Sequence, residues 1–137
     1  MKIMLIGSAR FESQEKEFAE MLEKFNHEVK YTSGYDEPKS EHEDWHEYGA
    51  RMMQKSITTI SNVDAVLCLN LDKDGKSNYI GGATFCEIAY AFEHGKKIFI
   101  LNDLPKDSSD GPNIRFEIEM FKPTVLLGDL SKIKEGK

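Results

Sequence analysis

The segment Ala65-Val66-Leu67-Cys68-Leu69 is an uninterrupted apolar run in the middle of the chain. A strand with one solvated face alternates apolar and polar residues, whereas a strand buried on both faces of a parallel sheet is apolar throughout. The run therefore predicts the central strand of a parallel sheet. Polar residues follow it, so its carboxyl end should open into a loop at 70–82.

Strand and helix patterns alternate on either side of this run. The strands are predicted at residues 2–6, 29–31, 65–69, 97–101 and 124–127, and the apolar residues of the predicted helices fall within 18–25, 45–60, 85–92 and 114–121. The order βαβαβαβαβα, which ends in a turn from Asp129, predicts right-handed crossovers. The expected fold class is α/β, a doubly wound sheet of five parallel strands in a flavodoxin-like three-layer sandwich.

The start of the second helix carries two overlapping motifs. Ser40 and Glu43 fit a capping box, which predicts that the helix begins there and turns an apolar side, including Trp45, toward the sheet. The stretch from His42 to His46 also matches the zinc-binding pattern H-E-x-x-H. No third ligand is evident downstream, and a parallel α/β sheet is not a metalloprotease scaffold. We therefore interpret the stretch as a solvated helix start and expect no metal.

Length and composition restrict the class of protein. A chain of 137 residues has the size of one domain, which we place at residues 1–137. The net charge of −6 argues against a polymeric nucleic acid partner, because such binding depends on clustered Lys and Arg. No apolar run approaches the roughly 20 residues that a membrane span needs. Two cysteines indicate a reduced, cytoplasmic setting, and we expect no cofactor.

The carboxyl edge of the predicted sheet is the expected ligand site. In a doubly wound sheet, ligands bind beyond the carboxyl ends of the strands, where the strand order switches. Three loops follow such ends, at 7–12, 70–82 and 102–112. Asn70 opens the second loop and is a candidate substrate-binding residue. The predicted partner is a small molecule.

A glycine turn from Tyr79 to Glu87, Tyr-Ile-Gly-Gly-Ala-Thr-Phe-Cys-Glu, leads into the third helix. Gly81 and Gly82 would let a ligand approach the backbone closely, and the helix N-terminus near Thr84 would offer free N–H donors. Tyr79 could stack on an aromatic base, or it could only cover apolar surface, as exposed loop tyrosines often do. These four residues are candidate substrate-binding residues. Glu87 has two interpretations that the spacing leaves open: a carboxylate presented to a ligand, or half of a Thr84-x-x-Glu87 capping box.

Several segments carry a resemblance to a known family. Residues 62–67, 82–92 and 95–100 resemble the nucleoside 2-deoxyribosyltransferases and their relatives, the 2′-deoxynucleoside 5′-monophosphate N-glycosidases. The match is best over 62–101. It extends to Gly7-Ser8-Ala9-Arg10, which is similar to the Gly-Ser-x-Arg segment of the N-glycosidase branch. The resemblance implies an enzyme that acts on nucleosides or nucleotides by 2-deoxyribosyl transfer or N-glycosidic hydrolysis.

The resemblance also implies roles for individual residues. Glu87 would be the nucleophile that attacks the anomeric carbon. Asp64 would be a second catalytic residue in contact with the sugar or base, unless it is only a polar residue that opens the third strand. Gly7, Ser8 and Arg10 would bind a 5′-phosphate, unless Arg10 is merely solvated. Family members complete their pockets across a subunit interface, which implies a homodimer or a larger assembly.

Position 81 departs from the pattern of the transferases. Deoxyribosyltransferases typically carry an Asp six positions before the nucleophile, where this chain has Gly81, and the N-glycosidase branch also lacks that Asp. The departure favours hydrolysis over base exchange, although Asp72, Asp74 or Asn78 in the same loop could substitute. Two alternatives stay open. One is a nucleotide phosphoribohydrolase, which has a similar Gly-Gly-Thr-Glu turn, and the other is a catalytically silent nucleotide-binding or sensing module.

Overall fold

The computed structural model describes residues 1–31, 37–106 and 114–133, so residues 107–112 of the third predicted loop lie outside it. The strands are β1 (Lys2–Ile6), β2 (Glu28–Lys30), β3 (Ala65–Cys68), β4 (Lys97–Ile100) and β5 (Thr124–Val125). The helices are α1 (Glu12–Lys24), α2 (Trp45–Ser61), α3 (Gly82–Glu93) and α4 (Ile114–Met120), with 3₁₀ turns at Ala9–Phe11 and Leu130–Lys132. None of these helices combines the length and the apolar character that a membrane crossing requires.

The described strands form one parallel sheet in the order β2-β1-β3-β4-β5. The register aligns Met4 of β1 with Val66 of β3 and Ile98 of β4. This arrangement confirms the predicted fold class, a doubly wound α/β sheet with flavodoxin-like strand order. The chain runs from β1 outward to β2 and later returns to place β3 on the other side of β1. The switch in strand order therefore lies between β1 and β3.

The central strand β3 is buried over its whole length, as its apolar run predicted. Its side chains point alternately to the two faces of the sheet. On one face, Val66 packs in a cluster with Ile60 of α2 and Ile88 of α3. On the other face, Leu67 packs in a cluster with Leu22 of α1. Helices on both faces thus fix the positions of the loops at the carboxyl edge.

Helix α2 begins later than the sequence predicted. The Ser40–Glu43 contact exists, with the Ser40 N–H donating to Glu43 Oε1 at 2.9 Å, but it closes a separate turn. Asp44 is the N-cap of the helix, since its Oδ1 accepts the N–H of Glu47 at 2.8 Å. Trp45 is 73% exposed, so its predicted place on the sheet-facing side was wrong.

The later start of α2 also separates the two histidines of the H-E-x-x-H match. His42 precedes the helix, whereas His46 lies in its first turn. The two imidazoles therefore do not share a helical face. Within the described ranges, His, Cys, Asp and Glu side chains form no group of three or more that could hold a metal ion.

Candidate active site

A pocket of about 360 Å³ lies at the carboxyl edge of the sheet, between the loops that follow β1 and β3. The middle of α2 and the first turns of α3 complete its walls. Its volume falls within the roughly 300–1,000 Å³ that is typical of small-molecule sites. The predicted site residues that line it are Gly7, Ser8, Tyr79, Gly81, Gly82, Thr84 and Glu87.

Glu87 lies in the second turn of α3, with its side chain in the pocket wall. The helix begins at Gly82, and Gly81 is the N-cap, with its carbonyl accepting the N–H of Phe85 at 2.9 Å. Thr84 is therefore inside the helix and is not its cap. The Thr84–Glu87 capping box, the alternative interpretation of Glu87, does not form.

The Glu87 carboxyl is buried without full hydrogen bonding. The residue is only 4% exposed, and its Oε2 has no hydrogen-bond partner among the described residues. Burial disfavours the charged form and raises the pKa of Glu87 to about 7. A hydrogen bond with the Ser56 side chain lowers this pKa, and the negative charge of Glu15 raises it. Near neutral pH, both the carboxylate and the protonated acid are therefore populated.

Gly81 allows the Tyr79 side chain to lie against the start of α3. A Cβ atom at position 81 would be 2.9 Å from the Tyr79 hydroxyl oxygen and 3.3 Å from its Cε1. Any side chain at this position would therefore require the tyrosine ring to move. The Nζ atoms of Lys73 and Lys76 lie 4.6 and 5.8 Å from the centre of the ring. The ring surface on which a base was predicted to stack thus already contacts two cations.

The loop after β1 brings Ser8, but not the Arg10 side chain, to the pocket. The Ser8 Oγ accepts the N–H of Arg10 at 3.3 Å and caps the 3₁₀ turn that follows. The Arg10 guanidinium points to another loop, where its Nη1 donates to both carboxylate oxygens of Asp74. Arg10 is not among the residues that line the pocket. The phosphate-binding role of Arg10 stays a prediction.

Two predicted site residues make structural contacts away from the pocket. Asp64 precedes β3 at the amino edge of the sheet, where its Oδ2 accepts the N–H of Lys2 at 2.8 Å. Asn70 is fully buried, and its Nδ2 donates to the carbonyls of Asn102 and Asp103 at 3.2 and 2.8 Å. Its Oδ1 accepts the N–H of Asn102 at 2.8 Å. These contacts stabilise the fold, and the catalytic role of Asp64 and the substrate-binding role of Asn70 stay predictions.

Sequence reasoning missed the side of the pocket that α2 provides. Gly49, Met52, Met53 and Ser56 line the pocket and follow the i, i+3, i+4, i+7 spacing of one helical face. The apolar side of this helix, to which the two methionines belong, was predicted to pack on the sheet. The available signal was the pair of small residues, Gly49 and Ser56, which leave room for a ligand. Lys73 was also missed, and no pattern distinguishes it from other loop lysines.

A larger cavity of about 530 Å³ opens at the opposite edge of the sheet, near the starts of β4 and β5. Its described lining includes Lys96, Lys97, Lys122 and Lys132, but no carboxyl group and no histidine. A cavity with cations alone offers no carboxylate nucleophile or ordinary general base. We therefore place the candidate chemistry in the smaller pocket that contains Glu87.

The fold is that of a doubly wound α/β protein, with a pocket at the switch in strand order. Among solved structures, the chain is similar to a 2-deoxyribosyltransferase from Bacillus psychrosaccharolyticus, with a TM-score of 0.58 and 16% identity over 80% of this chain and 77% of that chain. It is also similar to the CMP N-glycosidase BcmB of Clostridium botulinum, with a TM-score of 0.51 and 16% identity over 91% and 85%. No protein-family model and no curated protein matches the chain. The similarities confirm the fold that the sequence resemblance implied.

Proposed function

We propose that the protein hydrolyses the N-glycosidic bond of a nucleoside or nucleotide, with Glu87 as the nucleophile. The observation that carries this proposal is a carboxyl group buried in the wall of a small-molecule pocket, with one oxygen that has no donor among the described residues. Buried polar atoms nearly always have a partner, and a catalytic role is one explanation for an exception. The two similar structures, a 2-deoxyribosyltransferase and a CMP N-glycosidase, support the same class of reaction.

A carboxylate is chemically suited to this reaction. Cleavage of an N-glycosidic bond builds positive charge on the sugar, and an adjacent anion stabilises that charge before it forms a covalent ester. The raised pKa makes the Glu87 carboxylate more basic than an exposed one, yet leaves a large fraction ionised near neutral pH. Water then cleaves the ester and regenerates the carboxylate.

The lining of the pocket supports a nucleoside or nucleotide as the substrate. Met52 and Met53 supply polarisable apolar surface for a base. The backbone around Gly82 lies at the N-terminus of α3, where free N–H groups favour an oxygen-rich or anionic ligand, and Ser8 adds a hydroxyl. The predicted assembly into a homodimer or larger oligomer stays a prediction.

Release of free base tests the proposal. The protein would be incubated with deoxynucleosides, ribonucleosides and their 5′-monophosphates, with and without an acceptor base, and the products would be separated by chromatography. We expect at least one compound to lose its base. Glu87→Gln keeps the size of the side chain but removes the nucleophile, and should slow release by roughly 1,000-fold or more. Glu93→Gln, which changes an exposed carboxylate at the end of the same helix, is the matched control.

Each outcome of this experiment narrows the interpretation. Transfer of the sugar to the acceptor base would assign a transferase instead of a hydrolase. Release of base from ribonucleotides alone would identify ribonucleotides as the substrate class, which both an N-glycosidase such as BcmB and a nucleotide phosphoribohydrolase would fit. Binding without release from any compound would contradict the enzymatic proposal and favour a sensing module. Release that persists in Glu87→Gln would contradict the role of Glu87 as the nucleophile.

A further inference from the structure

The pocket contains a second group that is suited to proton transfer. Among the described residues that line it, the side chains that exchange protons in ordinary acid–base catalysis are those of Glu87, Lys73 and Tyr79. Glu87 must be a carboxylate in order to attack the sugar, so it cannot supply the proton that a departing base needs. We propose that the Tyr79 hydroxyl is the general acid that protonates this base. The role rests on the proposed function and adds a second catalytic residue to it.

The absence of a side chain at position 81 gives the Tyr79 hydroxyl its position. The hydroxyl oxygen lies 2.9 Å from the place where a Cβ of residue 81 would be, closer than real Cβ contacts allow. The Tyr79 N–H donates to the carbonyl of Leu71 at 2.9 Å, which ties the glycine turn to the end of the loop after β3. The hydroxyl is thus beside the N-cap of α3. Glu87 follows Gly81 by six residues, a backbone rise of roughly 9 Å along the helix axis, and Tyr79 and Glu87 line the same pocket.

The Lys73 side chain contacts the ring of Tyr79. Its Nζ lies 4.6 Å from the centre of the tyrosine ring. An ammonium group over an aromatic ring is attracted to the π electrons. The contact therefore helps to hold the ring, and with it the hydroxyl, in place. Lys73 acts through the ring of Tyr79 and is a positioning residue.

With Glu87 and Tyr79 in these roles, hydrolysis takes place in two steps, after which both residues are unchanged. In the first step, a Glu87 oxygen bonds to the anomeric carbon, the bond from that carbon to the base nitrogen breaks, and the electron pair of the broken bond goes to the base. The base takes the proton of the Tyr79 hydroxyl and leaves as a neutral molecule. In the second step, water attacks the anomeric carbon, the ester bond to Glu87 breaks, and the phenolate of Tyr79 takes a proton from the water. One water is consumed, and both residues return to their starting states.

The acid role predicts a dependence on the leaving group. Tyr79→Phe keeps the ring and its contact with Lys73 but removes the proton. On the base that the wild-type protein releases fastest, kcat/KM should fall by roughly 100-fold or more. On a derivative whose base leaves without protonation, an N7-methylated purine or a 5-nitropyrimidine, the loss should be less than about threefold. Tyr90→Phe is the matched control, because its hydroxyl lies 2.9 Å from Ser61 Oγ and outside the pocket lining.

The outcomes separate this role from the proposed function. Equal losses on both kinds of substrate would mean that the Tyr79 hydroxyl only positions the substrate, and would overturn the acid role. If Tyr79→Phe keeps the wild-type kcat/KM on the base that needs protonation, the acid role is overturned as well. Glu87→Gln should lose activity on both kinds of substrate, because attack on the sugar is needed whichever base leaves. A wild-type protein that releases neither base contradicts the proposed function, and the role of Tyr79 fails with it.

Discussion

An ion pair between Arg10 and Asp74 joins the two loops that border the pocket, with Arg10 Nη1 at 2.8 and 2.7 Å from the two Asp74 oxygens. Arg10 follows β1, and Asp74 belongs to the loop after β3. Both side chains are 64% exposed, so the ion pair should contribute less than about 1 kcal/mol to folding. Its main effect is to hold Arg10, the one positively charged residue among those that the Gly-Ser-x-Arg resemblance assigns to a phosphate.

Asp74→Asn should therefore improve the use of phosphorylated substrates. Removal of the carboxylate charge frees the Arg10 guanidinium for a 5′-phosphate, and KM for a 5′-monophosphate should fall by about 3- to 10-fold. KM for the corresponding nucleoside should not change. Steady-state kinetics with the two substrates make the comparison, and Arg10→Ala should have the opposite effect on the monophosphate alone. Equal changes for both substrates would exclude contact between Arg10 and a phosphate.

The titration of Glu87 should set the acid limb of the pH profile. The nucleophile must be ionised, and burial raises the pKa of Glu87 to about 7. We expect kcat/KM to rise by about tenfold per pH unit below this value and to level off above it. Initial rates measured from pH 5 to pH 9 at low substrate concentration test this prediction. A profile that is flat between pH 5 and pH 7 would contradict it.

Ser56→Ala should move this acid limb to higher pH. The Ser56 hydrogen bond lowers the pKa of Glu87, so its loss removes a stabilising contact with the carboxylate. A hydrogen bond to a charged group of this kind corresponds to a shift of about one pH unit. Ser61→Ala, an exposed serine whose hydroxyl donates to the Ile57 carbonyl, is the control on the same helix. An unchanged limb in Ser56→Ala would mean that Ser56 does not act on Glu87.

Glu87→Gln should stabilise the protein more at high pH than at low pH. The raised pKa means that the folded chain holds the Glu87 proton more tightly than the unfolded chain, whose value is near 4.5. Below pH 4.5 the carboxyl is protonated in both states, and its ionisation does not affect the stability of the fold. Above about pH 7 the buried carboxyl is ionised, and the full cost of burying its charge destabilises the fold. Relative to the Gln variant, the wild type should lose roughly 3 kcal/mol of unfolding free energy between these limits. Urea unfolding of both proteins at pH 4.5 and pH 8 measures the difference, and an equal difference at the two pH values would contradict the buried titration.

Asn70→Ala should affect folding and not catalysis. The buried Asn70 amide satisfies two carbonyls and one N–H of the segment after β4. Its removal leaves those groups without partners and should lower the free energy of unfolding by about 2–4 kcal/mol. Urea unfolding measures this change. If the folded Asn70→Ala variant instead has a higher KM than the wild type, Asn70 would be a substrate-binding residue.

The sheet could be predicted from the sequence because its strands carry local signals. The run at 65–69 is apolar without interruption and is flanked by Asp64 and Asn70, which limited the strand to the correct bounds within one residue. The start of α2 was harder, since Ser40 and Asp44 both offer a capping side chain. Spacing cannot rank two such caps, whose relative strength depends on the surrounding turn.

The site was only partly predictable because its properties depend on packing between distant elements. The glycine turn pointed to Glu87, but the burial of that carboxyl and its contact with Ser56 depend on how α2 crosses α3. The position of Asp64 at the opposite edge of the sheet could have been predicted from the sequence alone. Asp64 precedes a strand, and the ligand edge of a doubly wound sheet lies where strands end. The Arg10–Asp74 pair joins residues 64 positions apart, which no local pattern reveals.

The Oε2 of Glu87, which has no hydrogen-bond partner in the described part of the chain, also determines how the protein should respond to heat. An acceptor that is kept from water and has no donor destabilises a fold by roughly 1–3 kcal/mol. A compound that donates a hydrogen bond to this oxygen would remove part of that destabilisation, in addition to the usual gain from occupying a site. The melting temperature should therefore rise unusually far for ligands with a correctly placed hydroxyl or amino group. A thermal-shift screen of pentose-containing compounds can thus rank candidate ligands before any turnover is detected.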